Sequence, residues 1–337
     1  MPPKKKSDTQ VTVKTDHTAA LHTELLYSML LQRRFEERCA EMYAIGRIGG
    51  FCHLYIGQEA VSTGFISLLR PDDYIITTYR DHGQALARGM TPRAVMSELF
   101  GRQDGCAKGK GGSMHMFDQQ LGFLGGHGIV GGHVPIATGV GFAIRYRGGD
   151  QVIACFMGES VVNTGAFHEA LNMAALWKLP CIFIIENNRY AMGTAASRST
   201  AMAEQLGARG AAFGIPFEQV DGMDVRAVRD AGERAVEHCR AGEGPYILEM
   251  MTYRYRGHSM SDPAKYRSKE EVQKMREEHD PIEQVKARIL NGKLATEDEL
   301  KKIDAEIRAV VTEAAEFAQN DPEPDVSELY TDIYVNA

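Results

Sequence analysis

Residues 152–190 begin Val152-Ile-Ala-Cys-Phe-Met157, pass through Gly158-Glu159-Ser160-Val161 into a stretch of helical character, and end Cys181-Ile-Phe-Ile-Ile185-Glu186-Asn187-Asn188-Arg189-Tyr190. Both apolar runs are short and lack polar alternation, the pattern of parallel strands covered on both faces. A strand, a helix beginning near Asn163 and a second strand are therefore predicted. Working outward, Pro71-Asp-Asp is a turn before the β-branched run Tyr74–Thr78, and Phe217–Val220, a helix near Val225–Ala241 and the run Tyr246–Met251 extend the alternation. The fold class predicted is α/β, a doubly wound, mainly parallel sheet flanked by helices. At the N-terminal side, apolar residues at helical spacing from Leu21 to about Ile45 predict an amphipathic helix ended by Gly46. Near the other end, Thr296-Glu-Asp-Glu299 is a capping box opening a helix that stops before Asp321-Pro322, with Glu323-Pro-Asp as a surface connection. Residues 1–17 read as a disordered basic tail, and residues 18–337 as one domain that includes a helical segment over 281–337.

Composition narrows the function. In 337 residues, 25% are charged and 44% apolar, the balance of an ordinary globular enzyme. A formal charge of −7 argues against nucleic acid as a partner, because neutralising phosphates requires a basic face. The six cysteines form no C-x-x-C pair, so neither a zinc cluster nor a dithiol motif is signalled, and a reducing compartment is expected. No apolar run approaches the roughly 20 residues that span a bilayer. The start, Met1-Pro-Pro-Lys-Lys-Lys6, resembles neither a secretion signal nor a transit peptide, so a bacterial cytoplasmic location without membrane attachment is expected.

In open parallel sheets ligands gather outside the carboxyl ends of the strands. Tyr79 and Arg80 follow the strand 74–78, Glu159 and Ser160 follow 152–157, and Asn188 and Tyr190 follow 181–185; a loop with Arg254, Arg256 and His258 follows 246–251. Arg80 offers the bidentate fork that a phosphate favours. A carboxylate, a side-chain amide and a backbone carbonyl on neighbouring strand ends suit octahedral magnesium when a diphosphate supplies further oxygens. A helix opening after Gly158 would aim backbone N–H groups at the same anion. Taken singly, an acidic residue before a helix caps it and Asn-Asn makes a turn. Their joint spacing, from Glu159 to Asn188, resembles the thiamine-diphosphate signature G-D-G followed some thirty residues later by N-N.

Two phosphate motifs fail. Gly126-His-Gly-Ile-Val-Gly131 satisfies G-x-G-x-x-G, with Asp150 at about the distance of a ribose-binding acid, but the preceding Asp118–Leu124 is broken by glycine and not β-branched, so no strand is predicted before it. The stretch Gly105–Ser113 is rich in Gly and Lys without the spacing of a P-loop.

The resemblance extends over about residues 20–335. Phe51-Cys-His53-Leu-Tyr-Ile-Gly-Gln-Glu-Ala60, Tyr79-Arg-Asp-His-Gly83, Gly109-Lys-Gly-Gly-Ser-Met-His-Met116, Gly128-Ile-Val-Gly131, Asn172–Pro180, Glu186–Thr194, Val220-Asp-Gly-Met-Asp224 and Tyr253–Asp262 together resemble the alpha subunits of the thiamine-diphosphate-dependent 2-oxo acid dehydrogenases, and the loop 257–263 resembles the pyruvate type most closely. The resemblance implies thiamine diphosphate and Mg2+ as cofactors. Glu159, the Asn188 side chain and the Tyr190 carbonyl would hold the metal. Tyr79, Arg80 and His258 would hold the diphosphate beside Ser160 and Val161, with His258 also catalytic. Gly128 and Val130 would meet the aminopyrimidine through their backbone, and His53 would line the same cavity. The reaction implied is oxidative decarboxylation of pyruvate with acyl transfer to a lipoyl group, the alternatives being the alpha subunit of a branched-chain 2-oxo acid dehydrogenase or of an acetoin dehydrogenase. The partners implied are a beta subunit, in an α2β2 heterotetramer that supplies the glutamate touching the pyrimidine, and the dihydrolipoyl acyltransferase core with its lipoyl domain.

Departures from the family pattern open a second class. Where pyruvate-type relatives have G-D-G-A, this chain has Gly158-Glu159-Ser160-Val161. Glu keeps a hard oxygen donor, but a Cβ at position 160 clashes if the backbone there needs positive φ. Ser259 stands where eukaryotic relatives are phosphorylated, while Ala264-Lys265-Tyr266 replaces a second serine, which argues against kinase control. An active enzyme half and a non-catalytic paralogue that keeps only beta-subunit binding both remain open at this point.

Overall fold

The computed structural model describes residues 19–334, so the tail expected at residues 1–17 lies outside the described residues. In chain order the strands are β1 (Tyr74–Thr78), β2 (Phe123–His127), β3 (Ile153–Gly158), β4 (Cys181–Asn187), β5 (Tyr190–Ala191), β6 (Thr194–Ala195), β7 (Phe217–Asp221) and β8 (Tyr246–Met251). The helices are α1 (Ala19–Ala44), α2 (Glu59–Ile66), α3 (His82–Arg88), α4 (Pro92–Leu99), α5 (His133–Tyr146), α6 (Gly165–Leu176), α7 (Ala196–Ser199), α8 (Val225–Arg240), α9 (Lys269–His279), α10 (Pro281–Asn291) and α11 (Glu297–Asn320). Six strands form one sheet in the order β2-β1-β3-β4-β8-β7, and every pairing in it is parallel. β5 and β6 form a separate short hairpin.

Unbroken apolarity in the central strands has a direct cause. Ala154, Phe156, Ile182, Ile184, Leu248 and Met250 face one apolar cluster, shared with α1, α2, α8, α10 and α11. Their neighbours Ile153, Cys155, Met157, Cys181, Phe183, Ile185 and Ile247 face a second cluster under α5 and α6. Each fully buried large side chain contributes about 1.5–3 kcal/mol by leaving water. The expected ends also hold: α1 stops just before Gly46 at φ +75°, and Thr296 and Glu299 make both hydrogen bonds of the capping box.

Two expectations are corrected. The helix expected after Gly158 is delayed: Glu159–Asn163 is a 3-10 turn, and α6 starts at Gly165 with the Thr164 side chain accepting from the Phe167 N–H. β-branched Val161 and Val162 are buried in that turn, and Thr164 supplies the cap. A full helix N-terminus therefore does not stand at Gly158. Second, a strand does precede the G-x-G-x-x-G string: β2, at the sheet edge, whose glycines hid it. A Cβ at Gly125 would fall 2.0 Å from the Phe117 ring, and one at Gly126 would fall 2.0 Å from Asp81 Oδ2. Glycine is required there for close approach. The dinucleotide reading fails at Asp150 instead, whose side chain is 68% exposed and held bidentately by Arg70, at 2.8 and 2.9 Å.

Candidate functional site

The winding direction reverses between β1 and β3, the point where an open α/β sheet leaves a crevice at its carboxyl edge. A cavity of about 820 Å³ occupies that edge. β1 delivers Tyr79 and Arg80 to it, and β3 delivers Glu159, Ser160 and Val161. β4 delivers Asn188 and Tyr190, and the loop after β8 delivers His258. Gly128 and Val130 close the side next to β2, and His53 comes from the segment before α2. Every residue expected at the site lines this one cavity. Register is part of the reason: Gly158 pairs with Glu186 and Asn187 with Met251, so the residues just past these ends stand side by side.

Glu159 is 3% exposed, and burial raises its pKa against the opposing pull of Arg254, the Asn188 backbone N–H and Arg80. Glu159 and Asn188 line the same cavity from adjacent strand ends. Asn188 is oriented on both sides: its Nδ2 donates to Gln58 Oε1 at 2.9 Å, and its Oδ1 accepts from the Tyr190 N–H and from Arg254. Ser160 has no positive φ, so its Cβ is unstrained and its hydroxyl is available on the cavity wall.

Arg80 is buried and donates to two backbone carbonyls, Leu54 O at 2.6 Å and His258 O at 2.8 Å, rather than to a carboxylate. Burial and the nearby Arg254 lower its pKa to about 10, still charged at neutral pH. The rings of His53 and His258 meet edge to face at 5.1 Å, with Tyr79 4.6 Å from His53. Burial, then Arg80, holds His258 down to about 4 and His53 to about 3. Both are neutral imidazoles whose Nδ1 has no hydrogen-bond partner. Two arginines without carboxylate hydrogen bonds, facing orphaned ring nitrogens, make a cavity suited to an anion carrying several oxygens.

The residue-level reading missed Gln58 and Glu186 and named Arg254 only as one of the cations on the loop after β8; all three line the same cavity. Glu186 ends β4 as an apparently ordinary strand residue. It accepts from the Tyr55 hydroxyl and from Gln84, and burial pushes it up to about 8. The unfolded carboxyl titrates near 4.5, so across that window the folded chain keeps a proton that the unfolded chain releases. Its contribution to stability is full at low pH and falls as pH rises from about 4.5 to about 8. Glu186→Gln, which copies the neutral acid, is expected to flatten the pH dependence of the urea midpoint over that range. Parallel curves for variant and wild type would contradict this.

The Gly-Lys stretch that was not a P-loop also has an occupant. Glu98, fully buried on α4, accepts from the N–H groups of Ala107, Gly109, Gly111 and Gly112 at 2.7–2.9 Å. The loop wraps an internal carboxylate instead of an external phosphate. That fixes Ser113, whose hydroxyl meets His82 Nε2 at 2.9 Å and the His53 N–H at 3.3 Å.

Fold and site together define an α/β enzyme chain with an arginine-bearing cleft at the carboxyl edge of its sheet. The family model described as dehydrogenase E1 component matches residues 27–327. The chain belongs to that family, as the motifs led one to expect. It is 65% identical over 305 residues to the pyruvate dehydrogenase E1 component subunit alpha of Rhizobium meliloti (strain 1021), covering 90% of this chain and 87% of that one. The same subunit of Zymomonas mobilis is 54% identical, covering 93% and 88%, and that of Porphyra purpurea 47%, covering 90% of each.

Proposed function

We propose that this chain is the alpha half of a pyruvate-decarboxylating E1 component, binding thiamine diphosphate through Mg2+ and acting together with a beta subunit. The observation that carries this reading is the convergence of Glu159, Asn188, Tyr190, Arg80 and His258 on one cavity. The donor set fits the group: hard oxygens for a magnesium ion, and cations with unpartnered imidazole nitrogens for the phosphates. Glu159, Asn188 Oδ1 and the Tyr190 carbonyl would hold the ion. Tyr79, Arg80 and His258 would hold the diphosphate with Ser160 and Val161, and Gly128 and Val130 would face the pyrimidine ring. When bound, the cofactor supplies the nucleophilic carbon and the electron sink for loss of carbon dioxide from the 2-oxo acid. The chain's residues orient that group, and His258 and His53, neutral at physiological pH, can hold or pass a proton at Nδ1.

Partner binding is supported by a face that a lone chain leaves bare. Ile129, Ile136, Tyr146 and Leu176 are 77%, 47%, 84% and 71% exposed, and Phe142 rests against Trp177 with ring centres 5.4 Å apart. Ile129 is next in sequence to Val130 on the cavity wall, so a second chain seated over it would close the site beside the pyrimidine. The beta subunit is the proposed occupant, in an α2β2 assembly that passes its acyl group to the lipoyl domain of an acyltransferase core in the bacterial cytoplasm. Protein purified with its beta subunit is expected to release carbon dioxide from pyruvate far faster than from branched-chain 2-oxo acids, and to turn pyruvate over far faster than it cleaves acetoin to acetaldehyde and an acetyl group. Equal rates would overturn the substrate assignment. No turnover and no cofactor binding by any preparation would leave the non-catalytic paralogue as the better reading.

A further inference from the structure

Arg254 is nearly sealed from solvent, 1% exposed, and its guanidinium rests on the oxygens that a divalent ion would use. One nitrogen, Nη1, donates to both Asn188 Oδ1 and the Tyr190 carbonyl, each at 3.3 Å. The other, Nη2, donates to the Met192 carbonyl at 3.2 Å and the Tyr266 hydroxyl at 3.0 Å, and Nε donates to the Arg256 carbonyl. Tyr266 donates in turn to Asp262 Oδ2, which also accepts the His258 N–H at 2.6 Å. The side chain therefore ties two oxygens proposed for the metal to the loop that carries His258.

A fixed monovalent cation on those oxygens opposes a divalent one in two ways. It engages the donor atoms directly, and it repels the incoming charge across a buried space where screening is weak. A diphosphate entering with the ion reverses the balance, because its negative charges attract the guanidinium and the ion alike. We propose that Arg254 keeps the metal site closed to a free divalent ion and yields it only when ion and diphosphate arrive together. Arg254 thereby acts as a positioning residue that couples the two ligands. The inference rests on the metal-and-diphosphate reading above.

The test uses the full chain assembled with its beta subunit, with Mn2+ replacing Mg2+ so that paramagnetic resonance reports free ion directly, and inorganic pyrophosphate as the second ligand. Wild-type protein is expected to bind Mn2+ weakly alone and much more tightly with pyrophosphate. In Arg254→Met and in Arg254→Lys, Mn2+ alone is expected to bind at least about tenfold more tightly, the order set by freeing oxygens from a charge-assisted hydrogen bond. Because linkage is reciprocal, the enhancement by pyrophosphate should shrink in both variants. The Lys variant keeps a charge but loses the separate Nη2 and Nε hydrogen bonds to Met192, Tyr266 and Arg256 that pin the cation on those oxygens. Tightening in the Met variant alone would reduce the effect to net charge and overturn the seat-holding role. Unchanged affinity in folded Arg254→Lys would overturn it as well, whatever the Met variant does. Failure of the wild type to bind Mn2+ even with pyrophosphate would instead refute the metal site itself, and this inference with it.

Discussion

Glu159→Gln, in protein assembled with its beta subunit, is expected to weaken magnesium-dependent binding of thiamine diphosphate by about 100-fold or more, the range found when one member of a buried charged pair is removed. Glu159 carries the charged oxygens of the proposed metal set, and it is buried near Arg254 and Arg80. The amide keeps shape and volume but removes the charge, so both the ion and the arginines lose a counterion. Glu159→Asp keeps the hard donor with a shorter reach, and is expected to lose far less. Calorimetric titration at fixed Mg2+ measures both variants. Binding by Glu159→Gln within threefold of wild type would end the metal assignment, because nothing else on the β3 end could replace that charge.

The legible parts of this molecule are those where local chemistry and tertiary environment agree. Tyr74–Thr78 and Tyr246–Met251 were readable to the residue because β-branched and apolar side chains suit strands buried on both faces. Thr296 and α11 were readable because a capping box is self-contained in four residues. β2 was not, because Phe123-Leu-Gly-Gly-His127 is written by its neighbours: Phe117 and Asp81 exclude side chains where strand propensity would want them. The start of α6 was misjudged by two residues because Thr164, not the acidic turn before it, provides the cap.

The site divides the same way. Residues on strand ends were found by position and motif, since topology alone sends strand ends to one edge. Glu186 was overlooked, and Arg254 was named without a role, because their significance lies in partners far along the chain: Tyr55 for one, 131 positions away, and Asn188 for the other, 66 positions away. The role of the Gly-Lys loop was invisible for a related reason. Its anion is Glu98, which no local pattern marks out and which only the four N–H groups around it identify.

Arg80→Met is the second substitution with a large expected effect, and it separates anion binding from scaffolding. The guanidinium clasps the Leu54 carbonyl and the His258 carbonyl, bridging the segment that carries His53 to the loop that carries His258, while its charge points into the same cavity. Diphosphate binding is expected to fall by about 2–5 kcal/mol, on the scale of losing one buried charged partner. Arg80→Lys should lose much of this too, because one ammonium cannot span both carbonyls. After burial, Arg80 is the next cause holding both imidazoles down, so the Met variant should also move the titration of His258 and His53 upward. Imidazole proton resonances followed against pH in the unliganded protein read that shift without reference to catalysis. An upward shift with weakened diphosphate binding identifies Arg80 as the charge that sets the field of the cavity, whereas weakened binding with unmoved titrations would reduce it to a clasp between two loops.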